Sequence, residues 1–314
     1  MYFSQHQELL EPVAQFIGRE ILVPLEWPLF SDAFASYLKR RRETPSLYVD
    51  LFPTLACIAA GGASVTAVPT TAAWILFILA ARLFDDLADG QQLAPEWSQF
   101  EPATSSAMGL FALGAANSAL AHIGSEIAFK EISLAFNQAL ALASKSQQLE
   151  TETLELSVER YLGTIAAKTG FIFAVGAWTG GMVAAEKPCQ PTVQALYDYG
   201  LNIGIMDQIV DDCQDLAADL AQGIWTLPVF YALSQAADKG RHDLRTALTA
   251  ARGGDEEAVE TAVSLIDTYD AIHWSLIAAT AYQQRALSAI QALPDDNKRY
   301  LVEYAQRNNI QSVL

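Results

Sequence analysis

Two stretches almost free of charge each run directly into a cluster of aspartates. The first, "TAAWILFILAARLF", ends in Asp85 and Asp86, with Asp89 one turn further on. The second, "LNIGIMDQIV", ends in Asp211 and Asp212, and Asp207, Asp211, Asp215 and Asp219 recur through it at intervals of four. Apolar residues elsewhere recur at three and four, as in "SAIQALPDDNKRYLVEYAQR", and strand-like alternation bounded by turn residues is absent. The chain is therefore expected to be all-α. It is read as a single domain over 1–314, a bundle of about ten to thirteen helices with the two apolar stretches inside. The pattern predicts helices near 4–18, 28–42, 46–60, 66–88, 102–122, 126–145, 150–163, 165–185, 191–219, 223–237, 257–269, 272–292 and 296–308.

Hydrophobic residues make up 52% of the chain and charged ones 18%, so a large core can be buried and global disorder is excluded. The net charge of −17 argues against a nucleic-acid partner, since the only basic run is "KRRR", Lys39 to Arg42. Cys57, Cys189 and Cys213 show no metal-ligand spacing and read as free thiols of a cytoplasmic protein. The N-terminal "MYFSQHQELLEP" has no basic, then apolar, signal pattern. The runs Val68–Phe84 and Gly170–Ala185 are shorter than the roughly 20 residues that cross a bilayer, so no stable membrane insertion is expected.

Residues four apart share a helix face, so Asp85 and Asp89 point the same way, with Asp86 about 100° round. The same holds for Asp211 and Asp215, with Asp212 beside them. Carboxylates packed this closely raise one another's pKa and cost stability unless a cation lies between them. Oxygen-only ligands without His or Cys suit a hard divalent ion, above all Mg²⁺, which binds through one or two carboxylates and completes its shell with water and phosphate oxygens. A lone D-D-x-x-D also occurs on solvated acidic faces; two such clusters, each ending an apolar helix, point to a metal–diphosphate site. Asp85, Asp89, Asp211 and Asp215 are the expected metal ligands, and Asp86 and Asp212 are catalytic candidates beside them.

With these motifs in view the chain resembles the trans-isoprenyl diphosphate synthase (polyprenyl synthetase) family and the wider class I terpenoid-synthase fold, helices around a central cavity. "DDLAD" resembles the family's first Asp-rich motif and "DQIVDDCQD" its second, Q-I-x-D-D-x-x-D, which brings in Gln208. "YLGTIAAKTGFIF" resembles the Lys-Thr stretch that puts Lys168 and Thr169 on the diphosphate, and "DLAQGIWTLPVFYAL" the G-K-x-T-L-P segment. The resemblance covers roughly 46–307. It implies an enzyme with about two or three Mg²⁺ ions, an allylic prenyl diphosphate substrate and a homodimeric state. It also implies that Ala81 and Ala80, four and five residues before the first motif, limit chain length. Their small size leaves room for a tail of about C15–C20, with Phe77 and Trp74 deeper as a floor.

Three features depart from the family. Its early G-K-x-x-R-P, which binds isopentenyl diphosphate, falls near "SLYVD", without Lys or Arg; its Arg-Arg after the first motif is missing from "DLADGQQLAPEW"; and its later G-K becomes Gly223-Ile224. These losses lead to the expectation that the allylic cation, formed when Mg²⁺ neutralises the leaving diphosphate, is cyclised or transferred without isopentenyl diphosphate, as in terpene synthases. Aromatics including Tyr161 would stabilise that cation. The alternative is an elongating polyprenyl or geranylgeranyl diphosphate synthase that uses Arg41, Arg42 and Arg160 as substitutes. A second alternative is a non-catalytic partner subunit that binds prenyl diphosphate.

Overall fold

The computed structural model describes residues 2–43, 47–88, 93–152 and 157–307. Among them every regular element is a helix: α1 (Tyr2–Phe16), α2 (Val23–Leu25), α3 (Pro28–Arg42), α4 (Leu47–Asp50), α5 (Phe52–Ala59), α6 (Val68–Ala88), α7 (Pro102–Leu120), α8 (Glu126–Glu152), α9 (Val158–Ile165), α10 (Phe171–Val183), α11 (Gln190–Gln214), α12 (Leu216–Gln222), α13 (Leu227–Gln235), α14 (Asp238–Ala251), α15 (Glu256–Asp267), α16 (Ala271–Ala289) and α17 (Asp295–Arg307). Wide π turns at Ile17–Leu22 and Ala166–Gly170 lead into α2 and α10, and a 3-10 turn at Ser64–Ala67 leads into α6.

The all-α expectation holds, and the departures from the expected helices have local causes. The stretch expected over 46–60 divides because Pro53 lies in the first turn of α5, where no N–H is needed. The helix expected over 191–219 breaks at Asp215, whose φ of −98° and ψ of 8° end α11 and start α12. Gly223, at φ 78°, closes α12 in the left-handed conformation that glycine adopts without strain, so α13 starts later than expected, at Leu227. Helix α14 was not expected at all. Its buried stripe is only Leu244, Ala247, Leu248 and Ala251, a three-and-four pattern drowned by the charged residues around it.

The described residues form two compact units, one drawn from 1–137, 176–196 and 292–301, the other from 138–175, 197–291 and 302–314. The first is built on α6, in which every residue from Thr70 to Ala80 is buried. Helix α7 lies along it, and its inward side is almost all small: Gly109, Ala112, Ala115, Ala116 and Ala119. Continuous with its 3-10 turn, α6 makes a helical stretch Ser64–Ala88 of 25 residues, and Val158–Val183 makes one of 26. By length and composition both are sufficient to cross a membrane, which corrects the shorter runs read from sequence; 67% of the apolar window of the first is buried within the protein itself.

Among the described glycines of the first unit the tightest is Gly180, where a Cβ would lie 2.2 Å from the Pro53 carbonyl oxygen and 2.8 Å from the Cys57 nitrogen. Two backbones cannot part there without moving α5, so Gly180→Ala is expected to cost about 3 kcal/mol. The urea midpoint checks this; a loss below about 0.5 kcal/mol would contradict the contact.

In the second unit, α12 to α16 share a small apolar core centred on Leu216, Leu220, Val229, Leu244, Leu248 and Ile266. Tyr231 stacks on Trp274 at 4.1 Å and 12° to tie α13 to α16.

Candidate active site

The second aspartate cluster is sorted by helical geometry. Asp211 and Asp215, one turn apart, are exposed, whereas Asp212, about 100° round, is buried at 2% exposure. Helical hydrogen bonding carries on past the bend, with Asp215 N donating to Asp211 O at 2.9 Å. The stripe read at intervals of four does not survive as one face. Asp219 lies beyond the bend, on α12, and half-buried Asp207 accepts a hydrogen bond from Tyr304 Oη at 2.6 Å.

Asp212 sits at the hub of a network within the second unit. Its Oδ2 accepts from Tyr161 Oη at 2.8 Å and from the Leu227 N–H at 3.5 Å, and its Oδ1 accepts from Gln208 Nε2 at 3.1 Å. Thr169 Oγ1 donates to Gln208 Oε1 at 2.8 Å. Burial pushes the Asp212 carboxyl up to about 7, against the pull of the Gln208, Tyr161 and Leu227 donors. The ring of Tyr161, expected among the aromatics around a cation, leans on Phe230 at 5.2 Å, and its hydroxyl is bound to Asp212.

Lys168 and Thr169 fall in the π turn Ala166–Gly170 rather than in a straight helix, and both are half-buried. Such wide turns recur at functional sites. Glycines on α11 let the two backbones touch: a Cβ at Gly200 would lie 2.4 Å from Phe173 O, and one at Gly204 would lie 2.9 Å from Thr169 O. That contact is what brings Thr169 to Gln208.

At the end of α6, in the first unit, Asp85 and Asp86 are half-buried; Asp89 lies outside the described residues. Ala80 is fully buried and Ala81 half-buried. Phe77 meets Phe136 edge-on at 5.1 Å. Trp74 is locked in the core, its Nε1 donating to Val49 O at 2.6 Å. Among the described residues no group of three His, Cys, Asp or Glu side chains is arranged to hold a metal ion. All three cysteines are free, Cys189 exposed and the other two buried.

The basic run "KRRR" is absorbed unevenly. Arg41 Nε pairs with Asp50 Oδ2 at 2.6 Å, both buried, and Arg42 pairs with Glu11 at 2.8 Å. Arg41 is thereby held in the core, whereas the Arg42–Glu11 pair lies at the surface. Arg40 Nε meets Glu96 Oε1 at 2.5 Å, and that side chain remains 40% exposed. Arg40 and Arg41 lie over the Tyr37 ring at 5.7 and 5.9 Å, and Arg82 is exposed one turn before Asp85. Burial and Asp50 raise the Tyr37 phenol well above its usual range, while Arg41, Arg82 and Arg40 act to lower it. Neither Arg82 nor Arg40 was among the residues expected from sequence to meet a substrate. The available signal was Arg82 itself, a lone charge inside the apolar run.

The polyprenyl synthetase family model matches residues 70–266. The chain belongs to the polyprenyl synthetase family. It is 27% identical over 253 residues to the octaprenyl diphosphate synthase of Haemophilus influenzae, covering 75% of each chain, and 26% identical over 216 residues to the geranylgeranyl diphosphate synthase of Saccharolobus solfataricus, covering 62% of this chain and 63% of that one. Its fold is similar to that of the geranylgeranyl pyrophosphate synthetase of Pyrococcus horikoshii, with a TM-score of 0.84 at 20% identity over 98% of this chain and 97% of that one. As a polyprenyl synthetase the protein is a prenyl-diphosphate-processing enzyme of isoprenoid biosynthesis. These relatives bear the names of chain-elongating synthases, which overturns the expectation that the cation is cyclised or transferred without isopentenyl diphosphate.

Proposed function

We propose that this polyprenyl synthetase elongates an allylic prenyl diphosphate with isopentenyl diphosphate. The observation that carries the reading is the similarity over three quarters of the chain to an octaprenyl diphosphate synthase, and the sorting of the second aspartate cluster, Asp211 and Asp215 outward and Asp212 inward, supports the diphosphate chemistry the two readings share. Asp211 and Asp215 on one helix, and Asp85 and Asp86 on another, each offer the oxygen-only donors that suit Mg²⁺. When bound, Mg²⁺ would neutralise charge on the departing diphosphate. Lys168 would place a further positive charge on that group, and Thr169 and Gln208 would orient it. The allylic C–O bond breaks, the isopentenyl double bond supplies the electron pair for the new C–C bond, and loss of a proton restores an allylic diphosphate. Buried Ala80 and Trp74 belong to a dry, apolar helix that keeps water from quenching the cation.

Elongation requires a second diphosphate site, for which Arg40 and Arg82 are the best placed groups. Arg82 is exposed and one turn from Asp85, and Arg40, over the Tyr37 ring, keeps its side chain 40% exposed. The reading is tested by whether diphosphate release from farnesyl diphosphate and Mg²⁺ requires isopentenyl diphosphate, mole for mole. Release without it would refute elongation.

A homodimer fits the exposed Leu110, Ile127, Phe129 and Leu134 on α7 and α8. Light scattering is expected to give twice the chain mass, and Ile127→Lys with Leu134→Lys to give a monomer. A wild-type chain that runs as a monomer would exclude this pairing.

A further inference from the structure

Tyr161 lies on α9, seven residues before Lys168, and Thr169 lies immediately after it. The Tyr161 hydroxyl reaches Asp212 Oδ2 directly, and Thr169 reaches Asp212 Oδ1 through Gln208. Both ends of the segment carrying Lys168 are therefore tied to one buried carboxylate. That carboxylate is the chain neighbour of Asp211 and also accepts the Leu227 N–H at the start of α13. The turn at Lys168 is a π turn, a rare and wide piece of helix. We propose that Tyr161 is a positioning residue for the diphosphate site: through Asp212 it fixes the turn that carries Lys168 against the helix segment that carries Asp211. The inference rests on the reading of those residues given above. Partners behind a ligand shell orient the groups in front of them, and losing one typically costs about 10- to 100-fold in metal affinity or activity.

The test is calorimetric titration of farnesyl diphosphate at a series of Mg²⁺ concentrations, for the wild type, Tyr161→Phe and Asp212→Asn. Phenylalanine keeps the ring on Phe230 and removes only the hydroxyl. The half-saturating Mg²⁺ concentration and the dissociation constant for the diphosphate are expected to rise about tenfold in Tyr161→Phe, and severalfold in Asp212→Asn, whose neutral acceptor holds the Tyr161 hydroxyl less firmly. A purely structural role for Tyr161 would lower the melting temperature and leave the Mg²⁺ requirement of the folded protein where it was; that result overturns the proposal. If Tyr161→Phe does not fold, Asp212→Asn decides alone, and wild-type Mg²⁺ dependence in it overturns the proposal. A wild type with no Mg²⁺-dependent binding of the diphosphate refutes the reading of the aspartate clusters itself.

Discussion

Asp211→Ala is expected to lower turnover roughly a thousandfold or more while leaving the melting temperature within a few degrees of wild type, and Asp85→Ala to do the same. Asp211 is an exposed carboxylate near the end of a long helix, so alanine there opens no cavity. On the proposed reading its loss would remove a Mg²⁺ ligand from a site whose chemistry consists of stabilising charge on a leaving diphosphate. The neighbouring residue supplies the contrast. Asp212→Ala leaves the Tyr161 hydroxyl, the Gln208 amide and the Leu227 N–H without their acceptor inside the second unit. Each unsatisfied buried group costs about 1–3 kcal/mol, so this variant is expected to lose several kcal/mol of stability. Circular-dichroism melts beside initial rates separate the two. Near-normal rates in Asp211→Ala, or an undisturbed melt in Asp212→Ala, would show that the exposed and buried aspartates have been assigned the wrong roles.

Arg82→Ala is expected to raise KM for isopentenyl diphosphate about 10- to 100-fold, the range of a charge-assisted guanidinium–phosphate contact, with little change in KM for the allylic substrate. Arg82 makes no ion pair among the described residues, so the variant tests binding with little loss of structure. Arg40→Ala should act in the same direction and also destabilise. Glu96 would be left buried without its counter-charge, and its Oε2 already lacks a hydrogen-bond partner. Steady-state kinetics with each substrate varied in turn are the check. Equal rises in both KM values would place Arg82 at the allylic diphosphate instead, and no rise in either would remove it from the site.

The helical architecture was legible because burial and helix period leave their mark on the sequence together. Every residue from Thr70 to Ala80 is apolar, small or a threonine, and every one is buried. The outward pairing of Asp211 with Asp215 followed from spacing alone, as did the rotation of Asp212 away from them. What spacing could not convey was the partner waiting on the other side. Nothing local marks Tyr161 as the donor to Asp212, because they are 51 residues apart and meet only when α9 packs beside α11. The bend at Asp215 was hidden because "DDCQDLAADL" keeps its helical period straight through it. The misjudged fate of the cation has a similar origin. The missing G-K-x-x-R-P was read as a missing site, but a diphosphate is bound by charge in space rather than at a fixed place in the chain. Arg82 and Arg40, far apart in sequence, both act on Tyr37. A tertiary contact of the same kind holds Arg41 in the core, through Asp50.

The account stands on elongation, and the mass of the product tests it most directly. Purified enzyme incubated with Mg²⁺, farnesyl diphosphate and an excess of isopentenyl diphosphate is predicted to yield a prenyl diphosphate longer than its primer by whole isoprene units, and to yield none once the metal is chelated. A hydrocarbon or alcohol of the primer's own carbon number, formed equally well without isopentenyl diphosphate, would contradict it.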